Sequence, residues 1–220
     1  MHLNSELIFK KYAKKYFQPF HKVLEIGPAG IPSVYNILLD IDSTVWHTLD
    51  FKNTSYIATE SSNLTFEIED PYKFTIEDNQ YDIVVSGQVI EHVQEIWLWM
   101  TEIKRVLKQG GIVITINPIS WPYHEAPIDC WRIYPEGMKS IAKLCGLEVV
   151  FCDYMSLEKS YLKEKYNVEH TIPGMSYTHA YTEKEFSRII SWNKNPLLNK
   201  LLKVPIQVSY DTISVLRKAD

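Results

Sequence analysis

The stretch Val23-Leu24-Glu25-Ile26-Gly27-Pro28-Ala29-Gly30 decides the fold. A short apolar run carries one acid, Glu25, and then turns through Gly27 and Gly30. Open α/β sheets end their first strand this way and bring bare backbone up to a ligand beyond it. A dinucleotide loop needs Gly-x-Gly-x-x-Gly, because a pyrophosphate must sit on a helix N-terminus. This loop lacks that pattern. It adds a carboxylate at the strand end, which suits a ligand with a cationic amine and no phosphate.

Working outward, the segment Ser43 to Asp50 is apolar and ends in an acid. Asp50 lies 23 positions after Gly27, close to where a doubly wound fold places the carboxylate that grips ribose hydroxyls; a solvated strand-end acid is the other reading. Leu64 to Ile68 reads as a strand followed by Glu69-Asp70-Pro71-Tyr72. Tyr81 to Val93 reads as a buried strand running into a turn. Ile96, Trp99, Met100, Ile103, Val106 and Leu107 recur at helical spacing over about Glu95 to Leu107, with Gly110-Gly111 as the predicted stop. Ile112 to Ile116 is the next predicted strand, Tyr134 to Cys145 a helix closed by Gly146, and Leu147 to Tyr154 a strand.

The order of these pieces resembles the class I S-adenosylmethionine-dependent methyltransferases, in the small-molecule branch called the methyltransferase type 11/12 domain. The resemblance covers roughly residues 20–154 and the final strand. Val23 to Gly30 is similar to the family's cofactor loop, and Asp50 falls where its ribose-binding acid falls. Asp70 stands twelve positions before Asp82, as the family's adenine-contacting Asp does. Ser86 to Val93 resembles its Ser-x-x-Val-Leu-Glu-His-Val segment, and Leu107 to Gly111 its Leu-Lys-Pro-Gly-Gly turn. The resemblance implies S-adenosylmethionine as cofactor. It implies cofactor contacts from Glu25, Gly27, Pro28, Ala29, Gly30, Asp50, Phe51, Asp70, Pro71, Tyr72, Ser86, Gly87 and Gln88. The chain departs from the family at Ala29 and Ile31, where glycine is frequent, and Pro28 and Pro32 stiffen the loop. Pro71 has no N–H to offer adenine, so the Tyr72 amide is expected to substitute.

The fold expected is therefore α/β, a doubly wound, seven-stranded, mostly parallel sheet. Residues 1–220 form a single domain in this reading, with an N-terminal lid helix in 1–19 and a substrate-side insertion in 155–205 before the last strand, Ile206 to Arg217. The helix carries Lys10, Lys11, Lys14 and Lys15, whose reading as a solvated face is preferred to a membrane-binding one. The net charge of −4 disfavours nucleic acid. No run is long enough for a membrane span. Three scattered cysteines, Cys130, Cys145 and Cys152, fit reduced thiols in the cytoplasm, and no metal site is expected. A homo-oligomer is compatible with the sequence.

Ligands of open α/β sheets bind beyond the C-terminal strand ends. The loop after Ile116 is thus a substrate wall, dense in Trp121, Tyr123, His124, Asp129, Trp131 and Arg132. Its His-x-x-Pro-x-Asp-x-x-Arg pattern resembles a subgroup associated with surface-sugar and natural-product gene clusters, which implies methyl transfer to a small polar acceptor such as a sugar hydroxyl. A hydroxyl must lose its proton, and His124 is the expected general base. Tyr123, Asp129 and Arg132 are expected to bind the acceptor, the last as an anion clamp. The alternatives are a loop-fixing Asp129–Arg132 pair and a His124 without chemistry. His92 is expected to be packed within the fold, while His170 and His179 lie in the insertion within reach of the pocket. N-methylation of a small amine and a catalytically silent partner subunit are the other functional readings.

Overall fold

The computed structural model describes residues 1–41, 44–51, 65–125, 127–195 and 204–219. Ser43 and Leu64, the predicted starts of two strands, lie outside these residues, as do Ala126 in the substrate-wall loop, residues 196–203 of the insertion and the side chain of Phe51.

Five strands run parallel: β1 (Lys22–Ile26), β2 (Val45–Phe51), β3 (Thr65–Ile68), β4 (Tyr81–Gly87) and β5 (Leu107–Pro118). With β6 (Leu147–Met155) and β9 (Asp211–Lys218) they form a seven-stranded sheet in the order β3-β2-β1-β4-β5-β9-β6. β9 is antiparallel to both neighbours. Central parallel strands are covered on both faces, which is why β1 and β4 read as nearly unbroken apolar runs. One face carries α3 (Ile96–Val106) and α4 (Pro135–Cys145), whose Trp99, Met100, Ile103 and Met138 pack with Leu24, Ile26 and Leu49. The other face carries α2 (Val34–Leu39) and the N-terminal segment, where Ile8, Phe9, Tyr35 and Trp46 pack with Val23 and Ile83. The chain leaves β1 in one direction for β2 and β3, then returns to the far side for β4. That reversal between β1 and β4 opens a crevice at their C-terminal ends.

Several boundaries differ from those predicted. The N-terminal helix is α1 (Leu3–Ile8), continued by a π turn over Phe9–Ala13 and a 3₁₀ turn over Lys14–Tyr16. α3 ends at Val106, and the Gly110-Gly111 pair lies inside β5, with Gly110 at φ 70°. Gly146 does close α4, in the left-handed conformation. The expected strand Ile206 to Arg217 is two strands. β8 (Ile206–Val208) pairs with β7 (Thr171–Pro173) in a small second sheet, and only β9 joins the main one. The break falls at Ser209-Tyr210.

The insertion builds α5 (Glu158–Tyr166), β7, α6 (Tyr177–Ala180) and α7 (Glu183–Lys194) around a core of its own, with Leu162, Val168, Ile190, Ile206 and Val208. Buried Glu158 ties it to the sheet, accepting from the Ser176 hydroxyl and from the Ser209 amide at 2.9 Å.

Candidate active site

The crevice between β1 and β4 is a cleft of about 420 Å³. Gly27, Pro28 and Ala29 form its rim, Leu49 and Asp50 come from the end of β2, and Ile68, Pro71 and Tyr72 from the end of β3. Gly87, Gln88, Val89, His92 and Val93 follow β4. Gly27 turns at φ 69°, and a Cβ there would meet Val89 Cγ2 at 2.4 Å. Gly87 has its own reason to lack a side chain: a Cβ would meet the buried Tyr35 hydroxyl at 2.1 Å.

Four of the expected cofactor residues are placed otherwise. Side chains alternate along a strand, so Glu25 points to the face opposite Leu24 and Ile26, away from the cleft. It is buried, accepting from the Trp46 indole at 2.9 Å and from the Ser33 hydroxyl. Ser33 Oγ also accepts from the Asn36 amide as the N-cap of α2, so Glu25 fastens β1 to α2. Burial pushes the Glu25 carboxyl up to about 7, against the two donors that favour its charge. Ser86 donates to the Ile26 carbonyl at 3.2 Å and does not line the cleft. Gly30 is also off the wall. Asp70 accepts from the Tyr72 amide at 2.8 Å, an Asx-type turn. The amide expected to replace the missing Pro71 N–H is therefore already taken. Tyr72 itself lines the cleft.

A second pocket of about 170 Å³ adjoins the first and shares Met1, Gln88 and His92 with it. His2, Glu91, Trp121, His124 and His179 complete its lining. His2 stacks on Trp121 with ring centroids 4.9 Å apart and stands 3.2 Å from Asp211. Burial pulls the His2 pKa down, but Asp211 and Glu158 outweigh it and leave it raised. His92 Nδ1–H donates to the Ile128 carbonyl, 2.5 Å away, so it is anchored as expected yet also faces both cavities. Its pKa is lowered, chiefly by burial. His124 sits edge-on to it, centroids 5.0 Å apart. Of the two insertion histidines, His179 lines the pocket and His170 does not.

The substrate-wall loop is pinned rather than loose. Cys130 N–H donates to the Glu91 carbonyl at 2.7 Å and the Trp131 indole to the Val93 carbonyl at 2.8 Å. Ser120 Oγ donates to Gly174 O at 2.7 Å, tying the loop to the insertion. Arg132 and Asp129 form a two-pronged pair at 2.5 and 2.7 Å. The remaining donors of Arg132 go to the carbonyls of Trp121, Trp131 and Pro122. A guanidinium has five donors, so none is left for an anion. The expected acceptor clamp is a loop brace, and it holds the Asp129 carboxyl down to about 2. Asp129 also accepts the His124 amide at 2.8 Å. Tyr123 is 72 % exposed, donates to Glu125 and stands outside the pocket. His2 lines the pocket without a motif to single it out in the sequence, while Trp121 and Glu91 stood there only as parts of the loop and of the Ser86 to Val93 segment, with no role assigned. Only the fold brings positions 2, 91, 121 and 179 together.

Residues 38–115 match the methyltransferase domain family. An uncharacterized methyltransferase of Schizosaccharomyces pombe is 40 % identical over 52 residues, 24 % of this chain and 19 % of that protein. A highly reducing polyketide synthase of Penicillium polonicum is 28 % identical over 106 residues, 42 % of this chain and 4 % of that protein. Matches to these curated relatives thus span a small part of their length. Among solved structures, phosphoethanolamine N-methyltransferase 2 of Haemonchus contortus in complex with S-adenosyl-L-methionine superposes with a TM-score of 0.58 at 15 % identity, over 99 % of this chain and 53 % of that one. Taken with the strand order and the cleft at the β1/β4 reversal, these matches support a class I S-adenosylmethionine-dependent methyltransferase.

Proposed function

We propose that the protein transfers the methyl group of S-adenosylmethionine to a hydroxyl of a small polar acceptor, a sugar or related metabolite, bound in the histidine-lined pocket. The observation that carries this reading is the shared wall. Met1, Gln88 and His92 border both the large cleft and the polar pocket, so a ligand in one faces a ligand in the other.

The donor set suits the cofactor. Asp50 offers a carboxylate for ribose hydroxyls, the Gly27 to Ala29 backbone approaches without side-chain bulk, and Leu49, Ile68, Pro71 and Tyr72 give an apolar bed for an adenine ring. When bound, the cofactor supplies an electrophilic methyl on a sulfonium. The chain's own part is alignment of the acceptor oxygen and removal of its proton. The braced loop fixes the acceptor wall, and Trp121 stacked on His2 presents a flat face suited to a sugar ring. His124 lines the same pocket and is the base in this reading, with Nδ1 3.4 Å from Asp129 Oδ2.

Calorimetry is expected to show binding of S-adenosylhomocysteine and no binding of NAD. An acceptor screen by release of S-adenosylhomocysteine then tests turnover. In His124→Ala, turnover is expected to fall about 10²–10⁴-fold with cofactor affinity kept, the range for loss of a general base. Retained turnover in this variant would point to an amine acceptor. No heat with the sulfur ligands would point to a silent subunit.

A further inference from the structure

Glu91 lines the second pocket, and the reading above leaves its chemistry unused. It is 1 % exposed, and neither carboxylate oxygen has a hydrogen-bond partner. A buried carboxylate without hydrogen-bond partners is costly when ionised, and a bound cation would offset that cost. Among the described residues, Arg132 is near enough to act on Glu91 through space, but its donors are all committed to Asp129 and to carbonyls.

We propose that Glu91, His92 and His124 form a binding site for one divalent transition-metal ion of the Zn²⁺ type. One ligand atom from each of the three lies within 4.8 Å of the others. His92 Nε2 is already 3.7 Å from Glu91 Oε1. Bonds of about 2.0–2.1 Å in a tetrahedral shell put ligand atoms roughly 3.3 Å apart. The remaining closure falls on the His124 side chain, which is partly exposed and can turn about its own bonds while its backbone stays held by Asp129.

The outer contacts of both imidazoles fit the assignment. His92 has Nδ1 on the Ile128 carbonyl at 2.5 Å. His124 has Nδ1 beside the Pro122 carbonyl at 3.3 Å and Asp129 Oδ2 at 3.4 Å. In each ring an oxygen therefore holds the proton on Nδ1 and leaves the Nε2 lone pair for a metal, the arrangement that metal-binding histidines adopt. Asp129 is itself locked by Arg132, so the brace of the loop also orients a ligand. Two imidazoles and one carboxylate select Zn²⁺, Co²⁺ or Fe²⁺ over Mg²⁺ or Ca²⁺. Three protein ligands leave a position open to the pocket. The site deepens the function proposed above and rests on it only for its catalytic meaning: an acceptor hydroxyl in the open position would be activated by the cation, with His124 as a ligand in place of a free base.

The test uses the full chain, free of any affinity tag, stripped with EDTA and titrated with Co²⁺. The expected result is one Co²⁺ per chain, with the visible bands of a four- or five-coordinate ion, displaced by one equivalent of Zn²⁺. Glu91→Gln and His124→Ala are each expected to weaken Co²⁺ at least tenfold while S-adenosylhomocysteine still binds, which reports that the fold is intact. Absence of saturable binding, a spectrum of the six-coordinate aqua ion only, or unchanged affinity in both variants would overturn the proposal. Metal and cofactor binding are read separately, so an empty cation site leaves the methyl-transfer reading standing, and loss of cofactor binding leaves the cation result standing.

Discussion

Asp50 and Glu25 are both acids at strand ends, and the fold uses them in opposite ways. Asp50 closes β2 on the wall of the large cleft, where a carboxylate can accept from paired hydroxyls. Asp50→Ala is expected to weaken S-adenosylhomocysteine binding by roughly 1–3 kcal/mol, the scale of hydrogen bonds to a charged group, with the melting temperature nearly unchanged. Calorimetry on parent and variant checks it, and equal affinity would make Asp50 a solvated acid. A carboxylate in an apolar run is an anomaly that a ligand beyond the strand end would explain, and at the level of sequence Glu25 points to one. Its two-residue spacing from Val23 in fact placed it on the far face, and the partners that satisfy it, Ser33 and Trp46, stand 8 and 21 positions away. Distance in sequence also hid the pocket histidines. His2 meets Asp211, and His92 meets His124, only through folding.

At the scale of elements, the apolar runs of β1, β4 and β5 were legible because strands covered on both faces admit little else. The substrate-wall loop was legible as a functional segment but not as a built object. Its density of Trp, Asp and Arg was read as recognition, whereas Arg132 spends its whole fork on holding the loop's own carbonyls and Asp129. Lysine presents a single ammonium and cannot reproduce that fork. Arg132→Lys is expected to destabilise the protein by about 1–3 kcal/mol and to speed hydrogen exchange at the His124 and Cys130 amides, which donate to Asp129 and Glu91. Cofactor affinity should fall less than loop protection, since the loop reaches the large cleft only through Pro127 and Ile128 and none of the partners of Arg132 lines it. Exchange unchanged across the loop would remove Arg132 as its brace. The missed break at Ser209-Tyr210 has a similar origin: β8 continues the strand pattern but is claimed by β7 of the insertion.

For the molecule as a whole, buried acids set how stability depends on pH. Glu25 has its pKa raised from 4.5 to about 7 in the folded state, chiefly by burial. Between those values the folded protein holds a proton that the unfolded chain has released, so stability falls as pH rises through this window. The effect is about 3 kcal/mol at most. Asp129, whose pKa is held down to about 2, acts oppositely and loses its contribution only as the medium becomes strongly acidic. Maximum stability is therefore expected near pH 5, and urea unfolding should show a lower midpoint at pH 8 than at pH 5.5. Glu25→Gln keeps an acceptor for Ser33 and Trp46 and should reduce that slope, the remainder coming from Glu91, which burial pushes up to about 8; an unchanged slope would assign it to other groups. The placement of β9 has a different consequence, one of timing. It sits between β5 and β6, both made before it, and Asp211 pairs with Pro118 and with Met155. A ribosome adding about 5–20 residues per second needs several seconds to pass from β6 to β9. Through that interval a nascent chain carries two strand edges with nothing between them, and such edges recruit other chains. Recovery of the protein from cells should then track how fast it is translated and how soon the insertion is folded out of the way, more than how stable the finished sheet is.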